Sequence, residues 1–356
     1  MTDDEGNTVT TPETAVETET KVLKKVRSRN PALVLGLRAV RTGPVLILLL
    51  IILAFFIATP NFLTISNLAN VGTQTTVVAV LALGQFMVIL TRGIDLSVGS
   101  ILSLTSVVGA QLFVSAHLGN LALIAMVIVG MLIGLINGAV LVKWRIPHPF
   151  IVTLGMLNVA GGAALLLSGG SAVLGAPSIA VAIGNRDVLG IPIAVVFALA
   201  LTAIAWLFTS RVQAGRWLYA LGGNPEGATR SGIPVNKVLI MTYVLSGLFA
   251  ACAAIIVMGR TESGYPIAGL GLELDSIAAV IIGGTSFFGG RGTIGNVVVG
   301  ALILGVLRNG LNLLNVSSFW QQVAIGLILV VAVGIDVLRT DIEKKIRTVE
   351  GKVLAL

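Results

Sequence analysis

Charged residues are scarce in this sequence. They make up 11% of the 356 residues, whereas ordinary globular domains carry about 25%. Hydrophobic residues make up 56%, and the mean hydropathy is +1.00. So few charges cannot cover a surface that faces water, and long apolar runs recur between residues 44 and 338. The composition excludes a soluble enzyme, a nucleic-acid-binding domain and a secreted disulfide scaffold, and it predicts a polytopic membrane protein.

Residues for metal, covalent or phosphate chemistry are equally scarce. The single cysteine, Cys252, lies inside an apolar run and is expected to be a small packing residue. The two histidines, His117 and His148, are far apart, so no zinc motif can be assigned. No lysine is followed by serine or threonine, which excludes a Walker A loop. We therefore expect no catalytic residue, no metal and no cofactor in this chain.

The apolar runs define ten predicted membrane-spanning segments. We place them at about 42–59, 74–91, 97–116, 121–142, 150–168, 191–209, 238–258, 274–289, 294–314 and 319–338. The eighth is short and rich in glycine, so a broken or re-entrant helix is an alternative to a full crossing there. Residues 1–41 are predicted to be a disordered cytoplasmic tail, acidic at first and then basic, and residues 339–356 a second cytoplasmic tail. The first twenty residues are polar and acidic, which does not predict a signal peptide.

The distribution of basic residues favours ten crossings with both termini in the cytoplasm. In that topology all but three of the 23 lysines and arginines lie at the cytoplasmic side, in the pattern that orients membrane proteins. The exceptions are Arg186, Arg260 and Arg308, the last of which falls inside a segment. Basic residues before the first segment would contact anionic membrane lipid rather than nucleic acid. The predicted fold is therefore an all-α bundle of about ten transmembrane helices.

Glycine patterns predict close helix packing. Gly130, Gly134 and Gly138 recur at four-residue spacing, so they share one helical face and would let another backbone approach. Nine glycines lie between positions 283 and 310, which predicts bent helices, close crossings or a backbone that lines a cavity. Residues 92–99 and 289–295 look alike, but too weakly to define a repeat.

The longest predicted cytoplasmic loop, 210–237, contains a short helix signal. Asn224 can cap a helix, Pro225 suits its first position, and Glu226 would lie near its positive end. Gly232 and Pro234 would end it. Such a helix can fit a groove on a partner protein, and the alternative is a solvated connector.

The same loop carries a resemblance to a known family. Glu226-Gly227-Ala228, followed by Gly232, resembles the Glu-Ala-Ala…Gly loop of ATP-binding-cassette importer permeases. The preceding Gly222-Gly-Asn-Pro-Glu is similar to the ribose/xylose/galactose branch, as are residues 93–100, 150–155 and 269–315. Gly227 replaces an alanine of that pattern, and Arg230 stands where the branch has an apolar residue. The resemblance covers about residues 42–338, in four ordered blocks whose spacing matches the family.

The resemblance implies a permease subunit of a monosaccharide importer in the bacterial cytoplasmic membrane. It further implies a separate ATP-binding subunit that hydrolyses ATP, an extracytoplasmic solute-binding protein, and a second permease chain in a homodimer or heterodimer. The coupling helix that docks into the ATP-binding subunit would comprise Gly223, Asn224, Pro225, Glu226, Ala228, Thr229, Arg230 and Gly232.

Polar residues inside the segments are candidates for the translocation path. They are Asp95, Ser97, Glu273, Asp275, Asn309, Asn312 and Gln321. In the functional interpretation Asn309 and Asn312 bond sugar hydroxyls in transit, and Glu273 and Asp275 lie on the outer side, where a sugar arrives. In the alternative, Asp95 pairs with Arg92 or caps a helix with Ser97, Asp275 caps the eighth segment, and the amides bond neighbouring helices. Arg308 would extend its side chain to the outer interface.

Other functions stay open from the sequence. The same machinery could carry a nucleoside, a branched-chain amino acid or a furanosyl signal molecule. An ion-coupled secondary carrier would need no ATP-binding partner, and its uptake would collapse with the ion gradient. A membrane enzyme acting on lipid-linked substrates would need paired catalytic residues near an interface, and none stands out.

Overall fold

A computed structural model describes residues 31–354, with side chains described for 43–337. The helices are α1 (Pro31–Ala58), α2 (Ile65–Leu90), α3 (Val98–Val114), α4 (Leu121–Lys143), α5 (Pro149–Ser168), α6 (Ser178–Asn185), α7 (Ile193–Arg211), α8 (Gln213–Gly223), α9 (Pro225–Arg230), α10 (Val235–Thr261), α11 (Leu272–Ile282), α12 (Ile294–Leu313) and α13 (Ser318–Leu354). The strands have two residues each: β1 (Val173–Leu174), β2 (Asp187–Val188), β3 (Ile191–Pro192) and β4 (Ser263–Gly264). Strand β1 pairs with β4 and β2 with β3, both antiparallel.

The chain is an all-α polytopic membrane protein, as its composition predicts. Among the described residues, seven helices are long and apolar enough to cross a membrane: α2, α4, α5, α7, α10, α12 and the Ser318–Val337 part of α13. Two shorter apolar helices, Gly43–Ala58 within α1 and Val98–Val114, accompany them. The remaining predicted crossing coincides with α11, which has only 11 residues.

Several helices extend beyond the predicted membrane-spanning segments. Helix α2 begins at Ile65, nine residues before the prediction, because the Thr64 hydroxyl caps it while polar residues in its first turns lower the hydropathy. Helix α1 already begins at Pro31, and α13 continues to Leu354 past the predicted boundary at 338. A hydropathy criterion misses such ends because a helix can continue into water. The predicted tail residues 1–30 and 355–356 lie outside the described part.

Two stretches of non-helical chain interrupt the bundle. Residues 91–97 separate α2 from α3, and residues 265–271 separate β4 from α11. The predicted segment 274–289 is accordingly an 11-residue helix of about 16 Å, half the thickness of a bilayer core. A short helix preceded by non-helical chain fits the alternative of a broken helix at this position.

Helix α10 is the centre of the bundle, against which α2, α3, α4 and α6 pack. The predicted glycine face of α4 lies on it: Gly130 contacts the Gly247 carbonyl, and Gly134 contacts the Tyr243 carbonyl. This confirms the predicted close crossing. Cys252 is buried in the same helix, as expected for a packing residue.

The bundle has two distinct ends. The linker that carries Arg92, helix α8 with Arg216, and the loop that carries Arg291 meet at one end, where Arg92 bonds α8 and Gly290 bonds the end of α2. We call this the basic end. At the opposite end β1 pairs with β4, and the Asn120 and Asn185 side chains bond Ser178 and the Gly259 carbonyl.

The close crossing gives a first prediction. Gly134→Ala places a methyl group against the Tyr243 carbonyl and should destabilise the protein by about 1–3 kcal/mol, the usual penalty of overpacking. Gly155→Ala is the matched control, because open space surrounds Gly155 and alanine favours a helix by about 1 kcal/mol. Thermal unfolding of both variants in detergent measures the difference. Equal melting temperatures would contradict the crossing.

Candidate functional site

Helix α9 forms where the sequence predicts a capped helix. The Asn224 Oδ1 accepts from the Gly227 N–H at 2.9 Å, and Pro225 takes the first helical position. The helix ends at Arg230, and Gly232 follows with a φ of +76°, a left-handed conformation that favours glycine. The predicted helix and its cap are therefore confirmed.

The outer face of α9 is strongly exposed. The Glu226 and Arg230 side chains are 87% and 85% exposed, and their charged groups are 4.0 Å apart. An exposed ion pair at this distance contributes little to stability. In contrast, Ala228 is buried against the rest of the protein. The helix is thus held by its apolar side and presents two charges to its surroundings.

Helix α8, which leads into α9, packs closely against the end of α2 and against the loop that contains Gly290. Gly222 lies between the Leu90 carbonyl and the Gly290 N–H, which are themselves bonded at 2.9 Å. A Cβ at Gly222 would collide with the Leu90 carbonyl. The approach is backbone to backbone, so a movement of α8 must displace the end of α2 or the loop that contains Gly290.

Arg92 stabilises the contact between α8 and the end of α2 with two hydrogen bonds. Its Nε donates to the Gly222 carbonyl at 2.7 Å and its Nη2 to the Gly223 carbonyl at 3.0 Å. These carbonyls end α8 and would otherwise lack intrahelical partners. The expected Arg92–Asp95 pair is therefore wrong, because the arginine points to the basic end while Asp95 is buried in the bundle.

Tyr219 adds a further bond between α8 and the loop after α11. Its hydroxyl donates to the Gly292 carbonyl at 3.3 Å. Burial raises the pKa of the Tyr219 phenol above its ordinary value, although a hydrogen bond with Thr209 opposes the shift. The hydroxyl therefore stays protonated and remains a donor at neutral pH.

Asp95 lies at the centre of a buried polar cluster. Its Oδ1 accepts from the Ser97 N–H at 2.9 Å and the Ser97 hydroxyl at 2.5 Å, and its Oδ2 accepts from the Ser246 hydroxyl at 2.7 Å. Asp95 and Ser97 are fully buried. The bonds between Asp95 and Ser97 close a turn just before α3, and Ser97 makes no side-chain capping bond to that helix, so the predicted capping role is not observed. The bond to Ser246 joins this linker to α10.

Two amides complete the cluster. Gln85, oriented to satisfy both groups, donates to the Asp95 backbone carbonyl at 3.1 Å and accepts from its N–H at 3.2 Å. The Asn137 Nδ2 donates to the Ser97 hydroxyl at 2.9 Å. The cluster therefore fixes the non-helical linker to α2, α4 and α10.

Glu273 and Asp275 open α11 but point to different partners. Asp275 is buried and pairs with Arg308 of α12 at 2.7 Å, so neither its predicted capping role nor the predicted extension of Arg308 to the interface is observed. The cause is that the two side chains lie on facing helices. The Glu273 Oε1 accepts from the Gly271 N–H at 3.2 Å, and its carboxylate lies against Gly99 at the start of α3.

The candidate amides bond within the protein. Asn309 and Asn67 exchange two hydrogen bonds of 2.9 and 2.8 Å between α12 and α2. The Gln321 Nε2 donates to the Asn312 Oδ1 at 2.7 Å and to the Val316 carbonyl at 3.0 Å. These contacts fit the helix-bonding interpretation. The candidate path residues thus form separate pairs and not one constellation.

Comparison with known proteins assigns the family. Residues 67–333 match the family described as branched-chain amino acid transport system / permease component. The chain is 44% identical over 297 residues to the ribose import permease protein of Escherichia coli K12, covering 82% of this chain and 92% of the relative. It is 41% identical over 296 residues to the D-allose transport system permease protein of the same strain, covering 83% and 90%. The fructose import permease protein of Rhizobium meliloti is 37% identical over 303 residues, covering 82% and 84%. No solved structure gives a significant match.

The chain belongs to this permease family. It is a transport subunit and a multi-pass membrane protein, as the four sequence blocks indicate. The permease's coupling and path residues are not assigned by these matches and remain predictions.

Sequence reasoning missed several residues that the structure places in the permease's polar contacts. They are Asn67, Gln85, Asn137 and Ser246. Arg92 and Gly222 were named from the sequence, but their contact with each other was not predicted. A single amide or serine inside an apolar run was the available signal, and it does not identify its partner. The weak likeness of 92–99 and 289–295 was a better signal, since both loops contact α8.

The Asp95 cluster gives the second prediction. Ser246→Ala removes the donor to the Asp95 Oδ2 and should destabilise the permease by about 1–3 kcal/mol, because a buried carboxylate oxygen loses its partner. Ser106→Ala is the control, since that equally buried hydroxyl bonds only the Ser103 carbonyl of its own helix. Thermal unfolding in detergent compares them, and an equal effect of the two substitutions would show that the Ser246 bond is dispensable.

Proposed function

We propose that this permease forms the transmembrane pathway of an ATP-driven importer for a monosaccharide. The observation that carries the proposal is 37–44% identity, over most of both chains, to permeases named for ribose, D-allose and fructose. The exposed and capped helix α9, which follows the close contact of Gly222 with the Leu90 carbonyl, supports the proposal. A docking helix needs such an exposed face on a firm support.

The basic end faces the cytoplasm in this proposal. An ATP-binding subunit, which hydrolyses ATP, docks there on α9 and contacts Glu226 and Arg230. Positive residues concentrate at this end, as on the cytoplasmic side of membrane proteins. Both termini then lie in the cytoplasm and the chain crosses the membrane ten times, with residues 265–282 as one broken crossing.

The opposite end faces the extracytoplasmic space, where a solute-binding protein delivers the sugar. Two permease chains pair, and the sugar moves between helices of the pair. The solute-binding protein supplies affinity, so the permease needs only weak contacts. This fits the candidate amides, since Asn309 and Gln321 already have partners within the protein.

Movement passes from α9 into the membrane through the wedge at Gly222. Closure of the ATP-binding subunits pushes α9 and α8, and α8 bears on the Leu90 carbonyl and Gly290. Arg92 transfers the displacement to the 91–97 linker, which carries Asp95. Because the Asp95 cluster joins that linker to α10, the centre of the bundle shifts with the loop.

An amino acid is the second candidate cargo, because the family description names branched-chain amino acid transport. A zwitterion needs charged partners for both its groups. Asp275 and Arg308 are opposite charges in the bundle, but they are already paired at 2.7 Å. A neutral sugar needs no such partners, so we favour the monosaccharide.

The third prediction tests the importer itself. Mild-detergent purification of the tagged permease should retain an ATP-binding subunit that carries a Walker A loop, detected by mass spectrometry. Vesicles that contain the complex and its solute-binding protein should take up labelled ribose, allose or fructose only with ATP. Uptake of leucine and of none of the sugars would show that the cargo is an amino acid and not a monosaccharide. Uptake driven by an ion gradient without ATP would contradict the proposal of an ATP-driven importer.

The fourth prediction tests the docking helix. Glu226→Lys should abolish retention of the ATP-binding subunit and leave membrane insertion and thermal stability intact, because its side chain is 87% exposed and its ion pair is long. Asp187→Lys reverses an exposed acid at the opposite end and should retain the subunit. Normal retention by the Glu226→Lys protein would place the docking surface elsewhere.

A further inference from the structure

Residues 265–271 form a non-helical stretch that lies along α3. Gly264 contacts α3 at Ser106 and Ala110, and Gly269 contacts it at Gly99. The Gly269 N–H donates to the Ser103 hydroxyl at 2.9 Å. The stretch therefore runs from near the opposite end of the bundle toward the start of α3.

The stretch reaches the middle of the membrane layer. From Val107 to Gly99, α3 rises about 12 Å, which is the depth that the stretch descends. Helix α11 continues for about 16 Å toward the basic end. Together these lengths match the roughly 30 Å of a bilayer core, so residues 265–271 occupy its outer half.

One side of this stretch is uncovered in the single chain. Leu270 is 79% exposed, Ile267 45% and Tyr265 42%, and Glu273 beside them is partly exposed. The carbonyls of Ala268 and Leu270 accept no hydrogen bond from the described part of the chain. The other interruption differs, because Gly93, Asp95 and Ser97 in it are buried by protein.

Non-helical backbone cannot face lipid, because each unpartnered polar group in hydrocarbon costs several kcal/mol. It is tolerated only where protein covers it or where it lines a water-filled cavity. The 91–97 linker satisfies the first condition. We propose that residues 265–271, with the Glu273 carboxylate at their inner end, form the wall of a water-filled sugar pathway, an inference that rests on the proposed import function.

The chemistry of this wall suits an uncharged polyhydroxyl ligand. Backbone carbonyls and a carboxylate accept hydrogen bonds from sugar hydroxyls, and the Tyr265 and Leu270 side chains offer apolar surface to the C–H faces of the ring. These hydrogen-bonding groups are spread along the stretch and do not surround a single binding position. Such a surface would let a sugar pass without holding it.

Cysteine accessibility tests the proposal in the assembled importer. Cys252, the only cysteine of the sequence, is first replaced by serine, and Leu270→Cys is introduced. Val159→Cys and Ile204→Cys are controls at mid-span of regular helices, 65% and 60% exposed and expected to face lipid. A membrane-impermeant methanethiosulfonate reacts with thiolates, which form in water and not in hydrocarbon.

The Leu270→Cys thiol should react at least about tenfold faster than both controls, and the sugar with its binding protein should slow that reaction. Ile267→Cys serves as a second probe where Leu270→Cys does not assemble. Reaction as slow as in the controls overturns the proposal, as does a disulfide between two Leu270→Cys chains with no reagent access, because protein then covers the stretch.

Uptake in the same vesicles separates this inference from the proposed function. Sugar uptake without protection of the Leu270→Cys thiol rejects the pathway wall and leaves the importer intact. A reactive thiol protected only by a solute other than a sugar, with no sugar uptake, rejects the monosaccharide cargo. Uptake with protection supports both.

Discussion

The structure depends on one constraint: every backbone N–H and C=O inside hydrocarbon needs a partner. Continuous helices meet it locally, and the chain departs from them at two places within the layer. At the first, residues 91–97, the bundle supplies the partners, since Gln85 bonds both backbone groups of Asp95, and Ser246 bonds its carboxylate. At the second, residues 265–271, side chains such as Leu270 remain exposed. The partners of its backbone groups must therefore come from outside the single chain.

Close backbone contacts make neighbouring elements of this bundle move together. Gly134 lies on the Tyr243 carbonyl, and Gly222 lies on the Leu90 carbonyl, so neighbouring elements meet without intervening side chains. A flexible side chain can absorb a displacement by changing rotamer, whereas a backbone wedge cannot. In the proposed coupling, Gly222 therefore passes a movement of α9 to the end of α2, beyond its role in packing.

Local chemistry was predictable from the sequence, and distant pairing was not. Asn224, Pro225 and Gly232 predicted α9, because a cap and a stop act within one turn. The Asn67–Asn309 and Asp95–Ser246 bonds join residues 242 and 151 positions apart, so only the topology reveals them. The start of α2 was missed for another reason: polar residues in its first turns lower hydropathy without ending the helix.

The pairing of these polar residues bears on where selectivity resides. Asn309 and Gln321 already bond other amides, and Asp275 already neutralises Arg308, so a passing sugar would have to break an existing hydrogen bond or ion pair to use them. Exchanging such bonds during every transport cycle would be slow, since each unpaired group is costly. A sugar can bond a group without an internal partner, such as the Leu270 carbonyl, without first breaking a hydrogen bond of the protein. In the proposed importer, such a permease distinguishes solutes weakly, and discrimination between sugars falls to the solute-binding protein.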